Sequence, residues 1–119
     1  MGIISNTGIT PGYILRKVLE RAQTSAFFRV MVFSDEIGFS KPHRLMFETA
    51  LKELDAHPSE AIHIGDGLRT DIAGAKAIGM KAIWIKNEET TTSGLYMPDY
   101  EVSTLPQVIT ILSLQASLD

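Results

Sequence analysis

The chain has 119 residues, 45% of them hydrophobic and 21% charged, with a net charge of −3 and no cysteine. That length fits one domain over residues 1–119, with enough chain to bury a core. The mild acidity argues against a nucleic-acid binder, and the missing thiols exclude disulfides, thiolate metal sites and a cysteine nucleophile. No apolar run approaches the roughly 20 residues of a membrane span. The opening Met1-Gly2-Ile3-Ile4 lacks the charged start of a secretory signal, so the expected location is the cytoplasm.

Taken in order, Gly2 to Ile4 is a short apolar strand that ends in Ser5-Asn6-Thr7-Gly8. Thr10 offers an N-cap and Pro11 a first helical position. Ile14, Leu15, Val18, Leu19 and Ala22 follow at helical spacing, which predicts a helix from about Pro11 to Gln23. Val30 to Phe33 reads as a buried strand, and Ser34 to Lys41 as a loop around Gly38. Pro42 opens a second helix with an apolar stripe of Leu45, Met46, Ala50, Leu51 and Leu54. Ala61 to Ile64 is a strand that runs into Gly65-Asp66-Gly67. Thr70 can cap a third helix over about Asp71 to Ile78, which Gly79 stops. Lys81 to Lys86 is the next strand, Asn87 to Gly94 a polar loop, and Ser103 caps a last helix carrying Leu105, Val108, Ile109 and Leu112. This alternation predicts an α/β fold: a Rossmann-like parallel sheet with helices on both faces.

In such sheets ligands sit beyond the carboxyl ends of the strands. Three strand ends here carry polar turns: Ser5-Asn6-Thr7, Ser34-Asp35 and Gly65-Asp66. Asp66 and Asp71 could face one point at the sheet edge as two hard oxygen donors, which suits Mg²⁺. They fit equally as a turn aspartate and a first-turn aspartate that favours the helix dipole. Lys41, before Pro42, could pair with phosphate oxygens, or be a solvated loop lysine. Ser5 and Asn6 could hold a phosphate oxygen, or form an ordinary strand-to-helix turn. His43, His57 and His63 have no zinc-site spacing, and His63 reads as a satisfied core residue. Trp84 reads as core.

Together and in this order, these segments resemble the haloacid-dehalogenase-like (HAD) hydrolase superfamily over most of the chain. Ile4-Ser5-Asn6-Thr7 is similar to the family's second motif, a strand ending in Ser or Thr. Gly38-Phe39-Ser40-Lys41-Pro42-His43 is similar to the lysine-bearing third motif, although Arg44 stands where relatives often have Pro. His63-Ile64-Gly65-Asp66-Gly67-Leu68-Arg69-Thr70-Asp71 is similar to the acidic fourth motif, and Ile72 to Met80 continues it.

The resemblance implies a Mg²⁺-dependent phosphohydrolase acting on a small phosphorylated molecule. In that family one Asp attacks the phosphoryl group, and a second, two residues on, is the general acid and base. Ser5 and the Asn6 backbone would bind phosphate, and Lys41 would orient phosphate and nucleophile. Asp66 would ligate Mg²⁺, and Asp71 would ligate it or support the site. The family's first motif, Asp-x-Asp-x-Thr, is absent, and no Asp-x-Asp occurs in the 119 residues. The helical cap that follows that motif is absent too. The chain therefore resembles the C-terminal part of such a hydrolase, a core without its central strand, and is expected to be inactive alone.

A non-catalytic binding domain, or a half-protein completed by a partner, is the alternative. A receiver-like or flavodoxin-like signalling domain ranks last, because it explains Lys41 and Gly65-Asp66 poorly. Without the central strand, the strands ending in Ser5 and Asp66 could close up directly, take strands from a second copy, or take the strand from a separate chain. A homodimer is the favoured expectation.

Overall fold

The computed structural model describes residues 1–86 and 97–118. The loop expected over Asn87 to Gly94 lies outside the described residues. Two compact units divide the chain, Met1–Ala61 and Ile62–Asp119.

In the first unit, β1 (Gly2–Ser5) pairs in parallel with β2 (Val30–Phe33), Gly2 opposite Val30 and Ser5 opposite Phe33. A parallel pair needs a crossover, and α1 (Gly12–Arg21) and a short 3₁₀ turn (Ser25–Phe27) provide it. Pro11 is the N-cap of α1 rather than its first residue, and the cap comes from outside the helix, where the Asp35 carboxylate accepts the Gly12 N–H. Gly12 packs so tightly on Phe33 that an added Cβ would come within 2.9 Å of the ring. The expected apolar stripe of α1 stays largely uncovered, with Val18 54% exposed. A two-stranded ladder is narrow, and α3 (Arg44–Leu54) packs against both of its strands. Val30, Val32, Phe33, Met46, Phe47, Ala50 and Leu51 form the buried apolar set of this unit.

The segment read as a loop after β2 begins with a short helix, α2 (Ser34–Ile37). Gly38 ends it at φ 90°, a left-handed conformation that costs glycine little. Pro42 lies two residues before α3, joined to Lys41 by a cis peptide. The N-cap is His43, whose Nδ1 accepts the Leu45 N–H at 3.2 Å.

In the second unit three parallel strands lie in the order β3 (Ile62–Gly65), β4 (Lys81–Ile85), β5 (Tyr100–Val102). β5 was not expected from the sequence. Its register is set one residue earlier, where Asp99 donates its N–H to the Ala82 carbonyl and its carboxylate accepts the Ala82 N–H. The expected third helix starts instead with a π-helical turn (Leu68–Ile72) and continues as α4 (Ala73–Ala77). Ile83, Val102 and Val108 cluster beneath Ile62, Ile64, Ile85, Tyr100 and Ile111, which packs α5 (Leu105–Leu118) against the sheet. The start of α5 is tied by Gln107, whose Oε1 accepts the N–H groups of Ser103 and Thr104. The strands thus form two parallel ladders, one of two strands and one of three.

Candidate functional site

The lysine and phosphate candidates lie in the first unit. Ser5 is the last residue of β1 and is half-buried. Asn6 follows on the surface, and its side-chain amide reaches the backbone of Lys41. Asn6 Oδ1 accepts the Lys41 N–H at 2.7 Å, and Asn6 Nδ2 donates to the Lys41 carbonyl at 3.2 Å. The structure therefore brings Asn6, the neighbour of Ser5 in the chain, to the Lys41 backbone across 35 positions of sequence.

Thr7 makes a second tie from the same turn. Its N–H donates to Ser34 Oγ at 2.8 Å. Its hydroxyl donates to Asp35 Oδ1 and accepts the Asp35 N–H, both at 3.0 Å. The Asp35 carboxylate also accepts the Gly12 N–H at the start of α1. Thr7, Ser34 and Asp35 are thus structural members of this corner. The polar end of β2 was the sequence signal, but their pairing is long-range and no local pattern specifies it.

The acidic candidates lie in the second unit, where they play different parts. Asp66 is exposed in the turn after β3, and its carboxylate has no partner among the described residues. Asp71 is only 4% exposed. Its Oδ1 meets His63 Nε2 at 2.8 Å, and its Oδ2 accepts the Gly67 N–H at 3.0 Å. His63 is thus a satisfied, largely buried residue, and its partner is Asp71. The turn is held again from β4, where the Trp84 indole N–H donates to the Asp66 carbonyl at 3.1 Å. Gly65 and Asp71 are so close that a Cβ on Gly65 would overlap the Asp71 carboxyl group. Burial, three hydrogen bonds and close packing thus hold the turn and leave the Asp66 side chain exposed.

This donor set can be tested against Mg²⁺. No group of three or more His, Cys, Asp or Glu that could hold a metal occurs among the described residues. Mg²⁺ keeps several waters and takes only one or two carboxylates together with substrate phosphate. Asp66 alone fits that role on a rigid turn. Both Asp71 oxygens are engaged by His63 and Gly67, so its geometry favours support over ligation.

A family model described as HAD-hydrolase-like matches residues 38–108. The chain belongs to the HAD-hydrolase-like family. Among its relatives, a glyceraldehyde 3-phosphate phosphatase of Pyrococcus furiosus is 37% identical over 83% of this chain and 42% of that protein. A phosphoserine phosphatase of Thermus thermophilus is 30% identical over 78% of this chain and 37% of that protein. A crystal structure of a HAD phosphatase from Thermococcus onnurineus superposes with a TM-score of 0.76 at 33% identity, over 86% of this chain and 46% of that one. The HAD-hydrolase YfnB of Bacillus subtilis, solved bound to magnesium, has a TM-score of 0.82 at 24% identity, over 92% of this chain and 47% of that one, and shares the fold. This HAD-like chain spans less than half the length of each of these relatives.

Proposed function

We propose that this chain carries the phosphate-holding and metal-holding parts of a Mg²⁺-dependent phosphohydrolase acting on small phosphate monoesters. The observation that supports the reading is the pair of hydrogen bonds between the Asn6 amide and the backbone of Lys41. Phosphoryl transfer depends more on positioning and charge neutralisation than on covalent machinery. In this reading the Ser5 hydroxyl and the Asn6 backbone hold phosphoryl oxygens, and the Lys41 ammonium offsets their charge. Asp66 holds the metal, while Asp71 and His63 fix the turn that presents it. Mg²⁺ held at Asp66 would supply positive charge to a phosphate in its own coordination sphere. The phosphatase names of the relatives support this substrate class.

The 119 residues contain no Asp-x-Asp. Asp35 does not replace it, because its carboxylate is engaged by Thr7 and Gly12. The nucleophile therefore comes from outside these residues. All residues of β1 and β3 are only partly buried, and among the described residues each strand pairs on one side alone. A second copy would cover such edges in a homodimer. A separate chain with an Asp-x-Asp strand would cover them and also restore the nucleophile. No helix among the described residues is long and apolar enough to cross a membrane. A cytoplasmic location is part of this proposal.

The absence of Asp-x-Asp favours a second reading, a module that holds a phosphorylated small molecule without hydrolysing it. A Mg²⁺-dependent assay on p-nitrophenyl phosphate separates the two, run on the chain mixed with a separate chain that carries an Asp-x-Asp strand and beside Asp66→Ala and Lys41→Ala. Turnover lost in both variants supports a working site. No turnover with phosphate still bound supports the binding module, and turnover equal in all three proteins marks a contaminant.

A further inference from the structure

Asn6 and Thr7 are adjacent, yet they hold opposite ends of one segment. Thr7 binds Ser34 and Asp35 at the start of α2. Asn6 binds both backbone groups of Lys41 at the far end. Between them Gly38, at φ 90°, ends α2. We infer that this turn is a two-point mount that presets Lys41 for an anionic ligand, with the Asn6 side chain as a positioning residue and not a phosphate donor. The inference rests on the phosphate-site reading above and deepens it.

The chemistry of the amide supports it. Only a side chain with an acceptor and a donor on one carbon can take an N–H and a C=O of the same residue. Asp lacks the donor, and Ser is too short to reach both groups. These bonds fix the orientation of the Asn6 amide and the point from which the Lys41 side chain springs. A lysine has many rotamers, and a fixed origin reduces the ordering that ligand binding must supply. Binding groups work best when a second layer of contacts holds them in place before the ligand arrives.

The test measures binding of inorganic phosphate by calorimetry to the full chain and to Asn6→Ala, Lys41→Ala and the double variant. Amide hydrogen exchange at the Lys41 N–H is read in parallel. Asn6→Ala is expected to speed that exchange and to weaken phosphate roughly three- to tenfold, the worth of one or two neutral hydrogen bonds. In the Lys41→Ala background the same change is expected to cost nothing further, because its effect passes through the lysine. Equal losses in both backgrounds overturn the inference, since Asn6 would then act on phosphate directly or through the fold. Faster exchange with unchanged phosphate affinity also overturns it, because the clamp would be structural only. If Asn6→Ala does not fold, Thr7→Val reports the same coupling from the other end of the segment. A wild-type chain that binds no phosphate overturns the phosphate-site reading as well, and so differs from failure of the mount alone.

Discussion

Removing the Asp71 carboxyl group is the sharpest test of how the acidic turn is built. In Asp71→Ala, His63 Nε2 and the Gly67 N–H both lose their partner. Hydrogen bonds to a carboxylate contribute about 1.5–3 kcal/mol each, and buried groups left unpaired carry their full desolvation cost. Allowing for some relaxation, Asp71→Ala should lose about 3–5 kcal/mol, a large share of the 5–15 kcal/mol typical of a small domain. Asp71→Asn keeps an oxygen for the Gly67 N–H and can turn its NH₂ toward an unprotonated His63 Nε2. It should therefore lose only about 1–1.5 kcal/mol. Trp84 is the only tryptophan, fully buried, and it donates to the turn itself. Its fluorescence through a urea titration reads the relevant unit directly. Equal destabilisation by Asn and Ala, or a loss below about 0.5 kcal/mol for Ala, would refute the reasoning.

Other expectations follow from the same geometry. Gly65→Ala places a methyl group on the Asp71 carboxyl, and should cost about 3 kcal/mol or more, seen as a markedly lowered Tm. An unchanged Tm would mean that the turn can open. Burial raises the Asp99 pKa, but the Ala82 N–H, the Lys76 hydrogen bond and charge and the Lys81 charge outweigh it and hold the carboxyl below its ordinary value. A depressed folded pKa gives stability that is fully present above the unfolded value near 3.9 and is lost as pH falls through the folded one. Asp99→Asn should therefore lower stability at pH 7 by about 1 kcal/mol, since the Lys76 pair is partly exposed, and the gap should close in acid below about pH 4. A gap that persists at pH 2 would contradict this. Mg²⁺ should raise the Tm of the wild type and of Asp71→Asn but not of Asp66→Asn, and an effect lost equally in both variants would make Asp71 a direct ligand.

Local pattern made much of this fold legible. β2 spans the expected residues, β1 and β4 differ from expectation by a single residue at one end, and β3 by one residue at each end. Each is a short β-branched or apolar run bounded by turn residues, which is a strong local signal. β5 was missed because three residues, Tyr100–Val102, make too short a run to register. α2 was missed for a similar reason, since a four-residue helix leaves little periodicity to detect. The residues of the site were visible as polar strand ends, but their partnerships were not. The Asn6 clamp reaches across 35 positions, and the His63 to Asp71 bond depends on a π-helical turn that no spacing rule encodes.

The clamp has a consequence for how the protein is made. Everything it needs, from β1 to Lys41, is encoded ahead of Ala61, where the first compact unit ends. Chains leave the ribosome from the N-terminus, and compact units fold as they emerge. The lysine corner can therefore close before the unit that carries Asp66 has fully emerged. A nascent chain at that stage has the clamp from Asn6 to the Lys41 backbone in place and has not yet ordered the Asp66 turn. In the order of synthesis, the corner that carries Lys41 is set before the turn that carries Asp66.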